Sequence, residues 1–377
     1  MHTNVVRMDT PGEFSEGTME IPDPGPEDVL LRVELTGICG TDVHVAAGGM
    51  DLDFPIVPGH EFCGIVDRLG ADVGTDTAGR PLAEGDAIAV VPFHRSGTGW
   101  YSERMPGREV LWEHEDVFGL DHVDTGRPGG MSEWITIPPE ARYYRLPGEM
   151  ALELGALAEP MSIGVHAYER AAQPGLPSIR EGAGIGHSVA VQGAGTIGLL
   201  TMVAAREAGC SRLIAVDAIE ERLAMARRFG ATDTVNAADY ESDAALVDAV
   251  KRRTDGGVGP DVVIEAAGVP EAVPQAIEMP HDGGTVVEAG HFAYAGDVEI
   301  NPTRIVQKEL RIVGSRAAPA SQFRAGLDVL DRNAEDCPFL ELFDHPVEGL
   351  DAEAVAAAFE TQRRGGAYRA TVHPNAE

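Results

Sequence analysis

Lysine is almost missing from this chain: Lys251 and Lys308 are the only two in 377 residues. Arginine supplies the other basic side chains, 29 in all, against 61 acidic ones, for a formal net charge of -32. So negative a molecule excludes nucleic acid and anionic membrane surfaces as partners, because both are held by clustered Lys and Arg. The acid excess points to a halophilic protein, since high salt shortens the Debye length and tolerates self-repulsion. A GC-rich genome favouring arginine codons would explain the missing lysine but not the surplus of acids. Cysteine is scarce as well. Cys39, Cys63, Cys210 and Cys337 lie far apart with no paired spacing, which excludes a disulfide-stapled scaffold. The longest uncharged run, Ser188 to Ala205, just approaches membrane length, but three spaced glycines interrupt it. The first twenty residues are polar, so no export signal is expected, and the cytoplasm is the expected compartment.

What is present suits a folded protein. With 44% hydrophobic and 24% charged residues the chain is globular, and its length suits two domains. In the first part, Val29, Leu31, Val33 and Leu35 alternate with Leu30, Arg32 and Glu34, the pattern of a strand with one buried face. Cys63–Val66 and Ala87–Val91 are further apolar strands, giving a mostly β domain. From about Ser188 the rhythm changes. Short apolar runs at Val189–Val191, Leu213–Val216, Val262–Ile264 and Thr285–Val287 alternate with helical segments such as Ile219–Phe229, which Gly230 ends. That alternation predicts a parallel sheet with crossover helices. The segment after Gly314 is too short for a domain and is expected to return to the first one.

Val189 to Gly198 reads as a strand running into G-x-G-x-x-G and then a helix. Gly193 permits a tight turn, Gly195 lets the backbone approach a pyrophosphate, and Gly198 lets the helix pack on its strand. Thr196 and Ile197 complete the first turn, whose N–H groups and dipole favour phosphate. A second strand ends in Asp217, 24 positions after Gly193, where a carboxylate would accept ribose hydroxyls. Asp217 would repel a 2′-phosphate, so NAD is expected rather than NADP. Arg222, one turn on, is either a solvated helix residue or a 2′-phosphate clamp.

Cys, His and carboxylate side chains are zinc ligand types, and a catalytic zinc keeps one position open. They recur in Gly37-Ile38-Cys39-Gly40-Thr41-Asp42-Val43-His44, in Gly59-His60-Glu61-Phe62-Cys63-Gly64, and in Leu157-Ala158-Glu159-Pro160-Met161-Ser162-Ile163-Gly164-Val165-His166. These segments, followed by the nucleotide motif, resemble the zinc-dependent medium-chain dehydrogenase/reductase family over essentially the whole chain. The Glu159–His166 run is most similar to the sorbitol (polyol) dehydrogenase type. The resemblance implies an α/β chain: a GroES-like, mostly β catalytic domain over 1–161 and 315–377, with an inserted Rossmann doubly wound NAD-binding domain over 162–314. It implies Cys39, His60, Glu61 and Glu159 at one catalytic zinc. A thiolate and two carboxylates would leave that site at -1, so Glu159 is expected behind a water and Glu61 as the steadier ligand. It also implies proton transfer through Thr41 and His44, with Asp42 holding a metal ligand in place. Taken alone, Thr41 could equally cap a turn and His44 sit on the surface. Cys63, between Phe62 and Gly64, reads as a small buried hydrophobe.

The chain departs from the family where many members bind a structural zinc. Pro92 to Pro128 has no cysteine, and His94, His114 and His122 have no tetrahedral spacing, so no structural zinc is expected. Trp100, Tyr101, Arg104 and Arg108 in this lobe read as packing and surface residues. Arg316 lies near a position where relatives hold substrate hydroxyls, in a different local pattern. The implied activity is zinc-dependent, NAD-linked oxidation of a secondary hydroxyl of a polyol or sugar by a homo-oligomer, dimer or tetramer. A threonine-type amino-alcohol dehydrogenase is the close alternative, and a non-catalytic nucleotide-binding protein the alternative from another class.

Overall fold

The computed structural model describes residues 1–96, 99–106, 108–112, 114–172 and 183–376, with the side chains of 94–96 and of 114–115 outside the description. The chain forms two compact units, the first made of Met1–Glu159, Pro319–Ala334 and Phe339–Glu377, the second of Pro160–Ala318 and Glu335–Pro338.

The first unit is built on a seven-stranded sheet. Its order is Phe343–Glu348, Arg369–His373, Val29–Gly37, Glu61–Leu69, Ala87–Val90, Tyr143–Arg145, with Trp134–Ile137 also paired to Val29–Gly37. Val29, Leu31 and Val33 pack with Phe62, Val66, Ile88, Ile135 and Ile137, so the alternation read from the sequence does define a core face. Register then decides what meets at the sheet's end. Glu61 pairs with Gly37 on one side of the central strand, and Thr371, two residues after Arg369, pairs with Gly37 on the other. The helix Gly40–Ala46 leaves from the end of that strand.

The second unit holds six parallel strands in the order Asp233–Asn236, Arg212–Asp217, Ser188–Gln192, Val262–Glu265, Thr285–Glu288, Arg311–Gly314. Numbered within this unit the order is 3-2-1-4-5-6, the doubly wound arrangement. Ala190, Ile214, Val216, Val263 and Val286 form its core with Leu246, Val247 and Val250. Such strands are apolar throughout because helices cover both faces. The direction of winding reverses between Ser188–Gln192 and Val262–Glu265, where open α/β sheets bind ligands at their carboxyl edge. The helix Glu220–Arg228 is followed by Gly230 at φ 99, the left-handed residue that stops it. Among the described residues no helix is long and apolar enough to cross a membrane. The run Ser188–Ala205 is instead a strand, a glycine turn and part of the helix Thr196–Glu207.

Candidate functional site

At the end of the first sheet, one ligand atom each from Cys39, His60 and Glu61 lie within 4.8 Å of one another. Local structure explains the placement. Cys39 is the N-cap of the helix Gly40–Ala46, and its N–H donates to Asp42 Oδ2 at 2.8 Å. The other oxygen of Asp42 lies 3.3 Å from His60 Nδ1, both side chains being buried. Asp42 thus bonds the cap through one oxygen and sets the charge of the other against the imidazole. Burial pulls the His60 pKa down, but the charges of Asp42 and Cys39 outweigh it and hold the ring well above its usual range.

Glu61 starts its strand fully buried, and its Oε2 has no hydrogen-bond partner. Its Oε1 lies 3.0 Å from Nη1 of Arg369, which is itself buried and donates to the Ile38 carbonyl at 3.3 Å. A bare carboxylate oxygen next to a thiol and an imidazole is a donor set that fits a zinc ion. Arg369 was not singled out by the sequence reading. An isolated arginine in an unremarkable terminal strand carries no local signal, and only sheet register brings it to Glu61.

Glu159 stands in the first turn of the helix Ala158–Ala171 and is not one of the three converging residues. Burial, and after it the negative charge of Glu61, pushes its carboxyl up to about 7. Thr41 is half-buried with Oγ1 3.7 Å from Cys39 Sγ, while His44 is exposed on the same short helix. Cys63 stands apart: it is fully buried, its Sγ faces the Leu152 carbonyl at 3.2 Å, and burial pushes the thiol far up. In the lobe, Trp100 and Tyr101 are exposed and the Arg104 guanidinium stacks 5.7 Å from the Trp100 ring centre. His122 Nδ1 accepts from Asp124 N–H at 3.2 Å, and the side chains of His94 and His114 lie outside the described residues. Arg316 is exposed.

In the second unit the glycine turn has the shape a phosphate needs. Gly193 has φ 96, and a Cβ there would stand 2.6 Å from the Ala267 amide nitrogen. Above Gly195 there is open space, the room a pyrophosphate would fill. A Cβ on Gly198 would strike the Gly193 carbonyl, so only glycine lets the helix Thr196–Glu207 start so close to its strand. The open end of that helix, at Thr196 and Ile197, carries the amide and dipole preference for anions. Asp217 ends its strand half-buried, with Oδ2 accepting from Ala194 N–H at 2.7 Å and Oδ1 from Ile219 N–H at 2.9 Å. Its carboxylate is therefore locked onto the turn. Arg222 is half-buried on the next helix, Glu220–Arg228.

Comparison with known proteins bears on both units. Residues 25–148 match the alcohol dehydrogenase GroES-like domain, and residues 196–332 match the zinc-binding dehydrogenase family. A D-xylulose reductase of Scheffersomyces stipitis is 32% identical over 90% of this chain and 90% of its own. A sorbitol dehydrogenase of Bos taurus is 33% identical over 74% of this chain and 72% of its own. A zinc-binding dehydrogenase from Sinorhizobium meliloti 1021, solved bound to NADP, superposes with a TM-score of 0.83 at 31% identity, covering 99% of this chain and all of that one. With both family domains matched and full-length relatives above 30% identity, the chain belongs to the zinc-dependent medium-chain alcohol dehydrogenases.

Proposed function

We propose that this enzyme oxidises a secondary hydroxyl of a polyol or sugar to the ketone, reversibly, with NAD as hydride acceptor. The observation that carries the reading is the meeting of Cys39, His60 and Glu61 within 4.8 Å in a chain whose second unit offers a glycine turn locked by Asp217. Cys39, His60 and Glu61 would hold a single catalytic zinc, with Glu159 reaching it through water. When bound, the zinc supplies a Lewis acid that polarises the alcohol oxygen.

The protein's own groups do the rest. Asp42 sets its charge against the His60 ring and would steady it as a ligand, and Arg369 offsets the charge of Glu61. Thr41, beside Cys39, takes up the alcohol proton, and the exposed His44 delivers it to solvent. Gly193, Gly195, Thr196, Ile197 and Gly198 cradle the pyrophosphate, and Asp217 accepts the ribose hydroxyls. Asp217 also supports NAD over NADP, because a 2′-phosphate would meet its carboxylate; Arg222 is the residue that would favour the opposite choice. The named relatives, a sorbitol dehydrogenase and a D-xylulose reductase, support the polyol class. We place the enzyme in the cytoplasm, as a dimer or tetramer acting on a small soluble substrate.

The test is an NAD-reduction screen at molar KCl across polyols, sugars, threonine and simple alcohols, with His60→Ala as the control. Polyols should give the highest kcat/KM and His60→Ala should be inactive. A maximum with threonine would overturn the substrate class. Full activity in His60→Ala would overturn the metal assignment.

A further inference from the structure

A second constellation lies in the nucleotide-binding unit, away from Cys39, His60 and Glu61. The parallel strands Val262–Glu265 and Thr285–Glu288 are paired in register, so Glu265 and Glu288 stand opposite each other at the carboxyl edge of the sheet. Adjacent strands are only about 4.8 Å apart. Two carboxylates held so close, one of them fully buried, repel unless a proton or a cation joins them. His291 follows in the next loop, and single ligand atoms of Glu265, Glu288 and His291 lie within 4.8 Å of one another.

The local bonding separates structural oxygens from an open one. Glu265 Oε1 accepts from the amides of Ala267 at 2.7 Å and Gly268 at 3.0 Å, fixing the carboxylate. Glu265 Oε2 is buried without a hydrogen-bond partner and faces His291 Nδ1 at 3.5 Å. A Cβ on Gly290 would overlap that same oxygen, so the backbone is kept clear of it. Glu288 Oε1 accepts from the amides of Gly290 and His291, each at 3.1 Å, and lies 2.9 Å from His291 Nδ1. The loop that carries the imidazole is thus fastened to the carboxylate it faces. Glu288 and His291 are half-buried, which leaves a route from solvent.

We propose that Glu265, Glu288 and His291 form a second cation site, for an exchangeable divalent transition metal held by two carboxylates and one imidazole. The imidazole favours a transition metal such as Zn²⁺ over Mg²⁺ or Ca²⁺, which prefer oxygen alone, and the two carboxylates also admit Mn²⁺. Gly193 approaches the loop that follows Glu265, so the site borders the dinucleotide cradle.

The test uses zinc-loaded protein, desalted and titrated with Mn²⁺ at pH 8 in molar KCl, with free Mn²⁺ read by electron paramagnetic resonance. Wild type should bind about one Mn²⁺ per chain. Glu265→Gln and His291→Phe should each weaken it at least tenfold, and zinc at Cys39 should be unchanged. His291→Phe keeps the test open should Glu265→Gln fail to fold. Absence of saturable Mn²⁺ binding in wild type would overturn the proposal. So would binding that both variants leave intact, the behaviour of scattered surface acids. A Glu265→Gln protein more stable than wild type with Mn²⁺ present would show that a proton, not a metal, bridges the pair.

Discussion

Removing Arg369 tests whether the candidate zinc site depends on its buried counter-charge. Arg369 and Glu61 are both buried, with Nη1 and Oε1 3.0 Å apart. At an effective dielectric near 20, unit charges at that distance attract by about 5.5 kcal/mol. Desolvation of both ions consumes part of that. Yet deleting one partner strands the other in the interior, which costs about 3–5 kcal/mol. Arg369→Met keeps most of the volume and should therefore destabilise the zinc-free protein by about 3–5 kcal/mol in urea unfolding. Glu61→Gln on the same background should recover much of the loss, giving a coupling of about 2–3 kcal/mol in the double-mutant cycle. Zinc held by Glu61 would set further positive charge beside it, so the loaded Arg369→Met protein should lose less than the metal-free one. A cost below about 1 kcal/mol, or strict additivity of the two substitutions, would refute the argument. Glu61 would then have to be held by something other than Arg369.

Four further outcomes are expected. Elemental analysis after passage over a chelating resin should find about one zinc per chain, and none in His60→Ala, because the Pro92–Pro128 lobe has no cysteine. The melting temperature should rise steeply from dilute buffer to molar KCl, since about 3 Å of Debye length at 1 M screens the -32 charge; a flat response would favour the codon-usage explanation. NAD should give a kcat/KM roughly 5- to 150-fold above NADP, from about 1–3 kcal/mol of repulsion at Asp217, and Asp217→Ser should narrow the gap mainly by losing NAD affinity. Lys308 is buried, with Nζ donating to the carbonyls of Ile277 at 3.0 Å and Glu278 at 3.1 Å, and burial lowers its pKa to about 8. The folded state then binds fewer protons than the unfolded one between pH 8 and 10.5, so stability relative to Lys308→Met should rise with pH in that window, by at most about 3.4 kcal/mol. A constant difference across the window would show that Lys308 keeps an ordinary pKa, and a falling one that folding raises it.

Much of this protein is written in local pattern. Apolar runs at Val189, Leu213, Val262 and Thr285, alternating with helical segments, signalled buried strands, because helices cover both faces of a parallel sheet. The glycine spacing at 193, 195 and 198 was equally legible, because each glycine answers a steric demand made within a few residues: a positive φ, an open approach, a collision avoided. Cys39, His60 and Glu61 were named through the family resemblance of their segments, and the fold brings one ligand atom of each within 4.8 Å of the others. What local pattern does not carry is register between distant strands. Arg369 reaches Glu61 because the strand Arg369–His373 pairs beside Val29–Gly37, and Glu288 meets Glu265 because two parallel strands separated by a helix pair side by side in register. The four-residue return of Glu335–Pro338 to the second unit is likewise a product of packing. Contacts between residues far apart in the chain are set by sheet order and burial, which no short window of residues encodes, and there the tertiary structure alone decided which charges would meet.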